Sequence, residues 1–232
     1  MNLESLIQFD KELLLKINGS DSVFLDSLVM TLTDGITWIP LYLALLYIVF
    51  KNNESYVQVM LIIAAAAICV VLAGTLNDTF VKPGVARPRP THDIQIGELV
   101  DIVDGYRGGH YGFFSSHAAN TFSIAVFFSL LVRSKILTIM LVAWSLTNCW
   151  TRMYLGVHYP GDILCGLLWG GTVGTVVYSV YVMLYKKFSN KTKYISSQYT
   201  STGYMYNDID LVICVLVLTL IYALIKACFV LE

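Results

Sequence analysis

Polar and apolar positions along this chain fall into long blocks rather than a fine alternation. Apolar runs extend over 31–50, 56–80, 117–132, 136–154, 163–185 and 211–230, and each is bounded by short polar stretches. A helix needs about 20 apolar residues to cross the hydrocarbon core of a bilayer, and somewhat fewer when flanking turns contribute. The pattern therefore predicts an all-α protein, a polytopic membrane helix bundle with five or six transmembrane helices. Pro40 is expected to kink the first span, and Asn77 and Asp78 to sit at the end of the second. No cleavable signal sequence is expected ahead of the first span.

The opening block differs. Leu3, Leu6, Ile7, Leu13, Leu14 and Ile17 recur at helical spacing among Glu4, Asp10, Lys11, Glu12 and Lys16. That arrangement predicts an N-terminal helix lying in the membrane interface, with an ordinary packing helix as the alternative. Three regions follow: 1–22 as the interfacial helix, 23–185 as the core, and 186–232 as a cytoplasmic connector with a C-terminal transmembrane helix.

Composition agrees with that solvent. Apolar residues make up 56% of the chain and charged residues 13%, with a formal net charge of −1. Soluble domains carry about 45–50% apolar and about 25% charged residues. No basic face stands out, so no nucleic-acid partner is expected. Cys69, Cys149, Cys165, Cys214 and Cys228 lie in or beside apolar runs without a C-x-x-C pair. They read as small hydrophobes rather than disulfide or metal ligands. The sequence carries no reading of oligomeric state.

Charge in a membrane chain concentrates where it works, and here it forms three clusters. The first is Lys82-Pro-Gly-Val-Ala-Arg87-Pro-Arg89-Pro90, directly after the second run. The second is Phe113-Phe114-Ser115-Ser116-His117, and the third runs from Thr151-Arg152 through His158 to Asp162. In the predicted topology all three reach one membrane face. Arg89 and Arg152 each offer a planar fork to phosphoryl oxygens, and Lys82 adds a point charge. Ser115 or Ser116 caps the helix beginning near His117, whose free N–H groups favour an anion. Two histidines allow a nucleophile and a separate general acid, and Asp162, placed by the Pro160-Gly161 turn, can fix the tautomer of one of them. Arg87 is expected to be a solvated or headgroup-binding neighbour, His92 and His110 loop residues, and Asp93, Glu98, Asp101 and Asp104 parts of a solvated lid. The tyrosine-rich stretch 194–206 reads as an interfacial connector.

The order and spacing of these clusters, Lys82-x6-Arg89-Pro90, then Ser115-Ser116-His117, then Arg152-x5-His158-x3-Asp162, resembles the three-part signature of the type 2 phosphatidic acid phosphatase family. The superfamily also includes glucose-6-phosphatases and vanadium-dependent haloperoxidases. The resemblance covers roughly residues 20–185. It implies that His158 attacks phosphorus and becomes a phosphohistidine, that Asp162 orients it, and that His117 protonates the leaving group and later activates water. Lys82, Arg89, Ser115 and Arg152 would hold the phosphoryl oxygens together with a backbone amide near Ser116, without a metal or other cofactor. Phe114 and Ser116 stand where the family has Pro and Gly, and Thr151 where it has Ser. None of these changes deletes a catalytic group.

A bilayer-embedded site implies a lipid phosphate or diphosphate substrate among membrane lipids. Undecaprenyl diphosphate is the first expectation, lipid A phosphate the second, and phosphatidylglycerol phosphate or phosphatidic acid follow. A non-catalytic lipid-phosphate binder or transporter is the alternative of another class, although binding alone needs only the cations and the helix start. Positive charge in short loops marks the inner face. Lys51, Arg133, Lys135, Lys186, Lys187, Lys191 and Lys193 lie on one side. Against them stand Lys11, Lys16, Arg87 and Arg107, once Lys82, Arg89 and Arg152 are set aside as anion ligands. The expected location is the bacterial inner membrane, with the site facing the periplasm.

Overall fold

The computed structural model describes residues 2–185 and 197–229. It is helical, and among the described residues the only extended pairings are the isolated bridges Pro88–Tyr111 and Tyr199–Met205. Lys186, Lys187, Lys191, Lys193 and Tyr194 lie outside the described residues, and with them the inner-face charge they were expected to mark.

Helix α1 (Leu3–Ile17) starts at an Asn2 cap that accepts the Ser5 N–H, and α2 (Val23–Thr33) starts at a Ser22 cap that accepts the Leu25 N–H. Each cap satisfies one of the amides that a first turn leaves free. The first apolar run is not one continuous helix. It breaks at Asp34, passes through a 3-10 turn (Gly35–Trp38) and resumes as α3 (Ile39–Lys51), bent by 65° from α2. Pro40 therefore opens α3 rather than kinking a helix, because its missing N–H costs nothing in a first turn.

The second run is longer than its apolar stretch predicts. Tyr56–Val85 forms one helix of 30 residues, made of α4 (Tyr56–Val70), two π turns (Val71–Thr75 and Asn77–Val81) and a closing turn, α5 (Lys82–Val85). Asn77 and Asp78 thus lie within the helix and not at its end. α6 (Ser116–Val132), α7 (Lys135–Tyr154), α8 (Pro160–Tyr185) and α9 (Tyr206–Phe229) complete the bundle.

Among the described residues three helices are long and apolar enough to cross a bilayer, Tyr56–Val85, Pro160–Tyr185 and Tyr206–Phe229, and the bent α2–α3 pair meets the same test only when its two helices are taken together. α6 has only 17 residues, and α7 carries Asn148, Thr151 and Arg152 in its last turns. Leu43, Met60, Leu164, Leu168 and Leu218 point outward. Bare apolar side chains on several helices at once are costly in water and at home in lipid.

α6 packs most extensively on α8. Gly166, Gly170 and Gly174 recur on α8 every four residues, and a Cβ on them would stand 2.7 Å from the Ser115 carbonyl oxygen, 2.4 Å from that of Ala119 and 2.6 Å from that of Ser123. The two backbones meet directly, as small residues allow between membrane helices. Cys69 and Cys149 are buried among apolar side chains, whereas Cys214 and Cys228 are exposed on α9. Tyr204, in the stretch read as an interfacial connector, is buried in the core, and Asn53 donates to its hydroxyl.

α1 does more than lie at an interface. Leu14 is fully buried with Ile96, Val100 and Tyr159, and Lys11 is buried and ion-paired to Asp93 at 2.8 Å. Asn18 then joins α1 to the loop and to the end of α7: its amide donates to the Asp101 and Tyr154 carbonyls and its oxygen accepts the Asp101 N–H.

Candidate active site

Ends of four elements converge on one polar cavity of about 310 Å³. Its wall takes Asp78 and Lys82 from the long second helix, Arg89, Tyr106, Gly108 and Gly109 from the loop after it, Ser116, His117 and Asn120 from α6, Arg152 from α7 and His158 from the turn before α8. The three sequence clusters thus meet as their order predicts, with three cations against one carboxylate. An apolar cavity of about 540 Å³ lies beside it among α3, α4 and α6, and Asn120 lines both.

His158 is almost fully buried, with Nε2 3.4 Å from Arg89 Nη1 and Nδ1 3.6 Å from Asp162 Oδ2. A guanidinium only donates, so the Arg89 contact requires Nε2 to be the acceptor. The neutral ring then carries its proton on Nδ1, on the side of Asp162 but beyond hydrogen-bond distance of it, and Nδ1 has no hydrogen-bond partner. That tautomer turns the Nε2 lone pair toward Arg89, on the cavity side of the ring.

Asp162 is fully buried. Its Oδ2 accepts the Tyr159 N–H at 3.1 Å and its Oδ1 accepts Arg87 Nη1 at 2.7 Å. Arg87 was expected to be a solvated or headgroup-binding neighbour. It is instead clamped between Asp162 and Asp10, because a buried carboxylate needs a cation at hand. Asp93 is likewise no part of a solvated lid: it pairs with Lys11 and accepts the Tyr159 hydroxyl at 2.8 Å.

Arg152 is buried, donating to the Thr33 and Tyr106 hydroxyls, while its Nε has no partner. Arg89 donates to the Tyr111 and Val157 carbonyls. Burial holds the Arg89 guanidinium below its ordinary pKa, and the neighbouring charge of Arg152 adds to this. Such mutual repulsion is relieved when an anion enters between the cations.

The two serines divide their work differently from the expectation. Ser115 is the N-cap of α6, accepting the Ala118 N–H, and its own N–H donates to the Asp162 carbonyl; it is buried away from the cavity wall. Ser116 reaches the cavity, but its hydroxyl donates to Asp78 and accepts from Asn77. Asp78 also pairs with Lys82 at 2.6 Å. The first π turn ends three residues before Asp78, and the second contains it. The extra residue per turn re-aims a helix face, and here that face is the one meeting Ser116. Thr33, Tyr106, Asn77 and Asp78 are therefore site residues that the motif spacing does not include. Of these, Asn77 and Asp78 carried a signal, as the strongly polar residues of an apolar run.

Burial drives the pKa of His158 well below the histidine value, and Arg89, Arg152 and Lys82 push it the same way. The unfolded chain then binds a proton at His158 near pH 6.5 while the folded protein does not. Stability should accordingly fall as pH drops from about 7 to about 5. Thermal unfolding in detergent is expected to show this slope, and His158→Gln to reduce it. An equally steep slope in the variant would place the responsible proton elsewhere.

Comparisons with known proteins agree with this geometry. Residues 55–186 match the model of the PAP2 superfamily. A lipid A 4'-phosphatase of Bacteroides thetaiotaomicron is 39% identical over 82% of this chain and 84% of its own length. A lipid A 4'-phosphatase of Porphyromonas gingivalis is 34% identical over 78% of this chain and 76% of its own. Among solved structures, Aquifex aeolicus LpxE superposes with a TM-score of 0.54 at 25% identity, over 72% of this chain and 93% of that one. The PAP2-type phosphatidylglycerolphosphate phosphatase of Bacillus subtilis gives 0.56 at 16% identity, over 81% and 90%, a likeness of fold.

Fold, motifs and relatives together define a multi-pass bacterial membrane phosphatase that hydrolyses phosphoric esters of lipids. The chain belongs to the PAP2 superfamily.

Proposed function

We propose that this protein is a lipid A 4'-phosphatase working through a phosphohistidine, with its site facing the periplasm. The observation that carries the substrate reading is the 39% identity to the Bacteroides thetaiotaomicron lipid A 4'-phosphatase across more than four-fifths of both chains. It favours lipid A over undecaprenyl diphosphate, the first expectation from sequence. The paired cavities suit an amphiphile: a cationic chamber for phosphate, and beside it an apolar one for an acyl chain.

In this reading Lys82, Arg89 and Arg152 hold the phosphoryl oxygens and neutralise charge that grows in the transition state. His158 Nε2 attacks phosphorus and the bond to the sugar oxygen breaks. Asp162 favours the Nδ1-protonated ring, and His117 gives its proton to the leaving oxygen. His117 then takes a proton from water, the resulting hydroxide attacks the phosphohistidine, and the P–N bond breaks to release inorganic phosphate and neutral His158. A binder or transporter has no use for His117 and Asp162 in these positions.

The purified protein in detergent should release phosphate from lipid A phosphorylated only at the 4' position at least about tenfold faster than from lipid A phosphorylated only at the opposite end. Excess chelator should leave the rate unchanged. Faster release from undecaprenyl diphosphate than from either lipid A would overturn the substrate assignment.

A further inference from the structure

Arg87 lies inside the first sequence cluster but outside its spaced signature, and it does not line the phosphate cavity. Its surroundings are nonetheless built with care. Nη1 donates to Asp162 Oδ1 at 2.7 Å and Nη2 to Asp10 Oδ2 at 2.7 Å. Its guanidinium carbon stands 4.0 Å from the centroid of the Tyr159 ring. The other oxygen of Asp10 accepts the Gly161 N–H at 2.7 Å, at the start of α8. The set continues through the Tyr159 hydroxyl to Asp93, and from Asp93 to Lys11, one residue beyond Asp10 on α1.

Asp162 sets the demand. Its side chain has no solvent contact, and Arg87 is the one cation that pairs with it directly among the described residues. A carboxylate stripped of water stays ionised only with a partner of opposite charge and donors for its lone pairs. The charged and titratable groups facing Asp162 are Arg87 and Arg89 from the loop, His158 and Tyr159 from the preceding turn, and Cys165 on its own helix, with Asp10 of α1 behind Arg87. Arg89 is already engaged at the cavity with His158 and two carbonyls.

We propose that Arg87 and Asp10 are a positioning pair that keeps Asp162 ionised and aimed at His158 Nδ1, so that the N-terminal helix is a working part of the active site. Without Arg87, Asp162 takes up a proton, loses its preference for the Nδ1–H tautomer, and the Nε2 lone pair is no longer reserved for phosphorus. Asp10 holds the second arm of the guanidinium and the first turn of α8 at once. The planar two-armed cation matters here, since an ammonium serves one carboxylate at a time.

The inference rests on His158 being the nucleophile, and the experiment separates the two ideas. Arg87→Gln should lower kcat by about 10- to 100-fold with KM within about twofold, because Arg87 does not touch substrate. The loss should be largest at low pH and shrink as pH rises and Asp162 ionises, over a range where the wild type is flat. Arg87→Lys should recover part of kcat. Asp10→Asn should lower kcat in the same direction by a smaller factor, and combining it with Arg87→Gln should add little, since both act through one residue. Any phosphate ester that the wild type hydrolyses serves as substrate, so failure on lipid A leaves the test intact. A pH-independent loss, a rise in KM at constant kcat, or unimpaired Arg87→Gln and Asp10→Asn would overturn the positioning role. If Arg87→Gln does not fold, Asp10→Asn carries the same pH and kcat criteria. If His158→Ala keeps its turnover, the reading of the site falls instead.

Discussion

Replacing His158 with alanine is expected to abolish turnover, lowering phosphate release by about 10⁴-fold or more, while the protein still folds. The size follows from its place in the cavity. Its Nε2 is the lone pair held between Arg89 and open cavity, with Asp162 behind the other nitrogen. In the proposed mechanism its removal deletes the attacking atom, and the cations left behind bind phosphate without a bond to form. Folding should survive, because the ring is buried neutral and no ion pair is lost. Acid-labile phosphate should appear on the wild-type protein during rapid quench with labelled lipid and be absent from the variant. Turnover above a few per cent of wild type, or a phosphoenzyme in the alanine variant, would reassign the nucleophile.

His117→Ala should cost about 10²- to 10⁴-fold on a lipid phosphate, the range of general acid–base catalysis. His117 is the second residue of α6 and lines the same cavity as His158. In the proposed mechanism its first task is to protonate a sugar alkoxide, a poor leaving group. With an aryl phosphate, whose phenolate leaves unaided, the first step no longer needs it, while water attack still does. The variant should therefore form phosphohistidine from an aryl phosphate and hydrolyse it slowly, so labelled protein accumulates. Equal losses on both substrates without accumulation would remove His117 from the leaving-group step.

Much of this site was legible from the chain. Charges such as Lys82, Arg89, Arg152 and Asp162 sit at the margins of apolar runs, and a bilayer tolerates them only where they meet one another. Helix ends on one face then brought three distant clusters together. What stayed hidden is what depends on angle and depth. The hydropathy reads through Asp34, so a span was expected to begin at Thr31, inside the last turn of α2, where the chain instead breaks before α3. The π turns leave no compositional mark, and with them went the meeting of Asn77 and Asp78 with Ser116. Arg87 and Asp10 escaped for another reason. Their partner contacts join residues more than 70 positions apart, and a single arginine in a basic cluster looks no different when it faces inward.

The glycine stripe of α8 has a consequence for the two half-reactions. His117 rides on the first turn of α6 and Asp162 on the first turn of α8, and these helices touch backbone to backbone at three successive glycines. Such a seam has no side-chain layer to shear, so in the proposed mechanism the acid His117 and the carboxylate behind His158 keep their spacing from one half-reaction to the next. The transferred phosphoryl group is the piece that travels. Beside that seam, the loop after the second helix and the α3–α4 side supply the remaining walls of the two cavities.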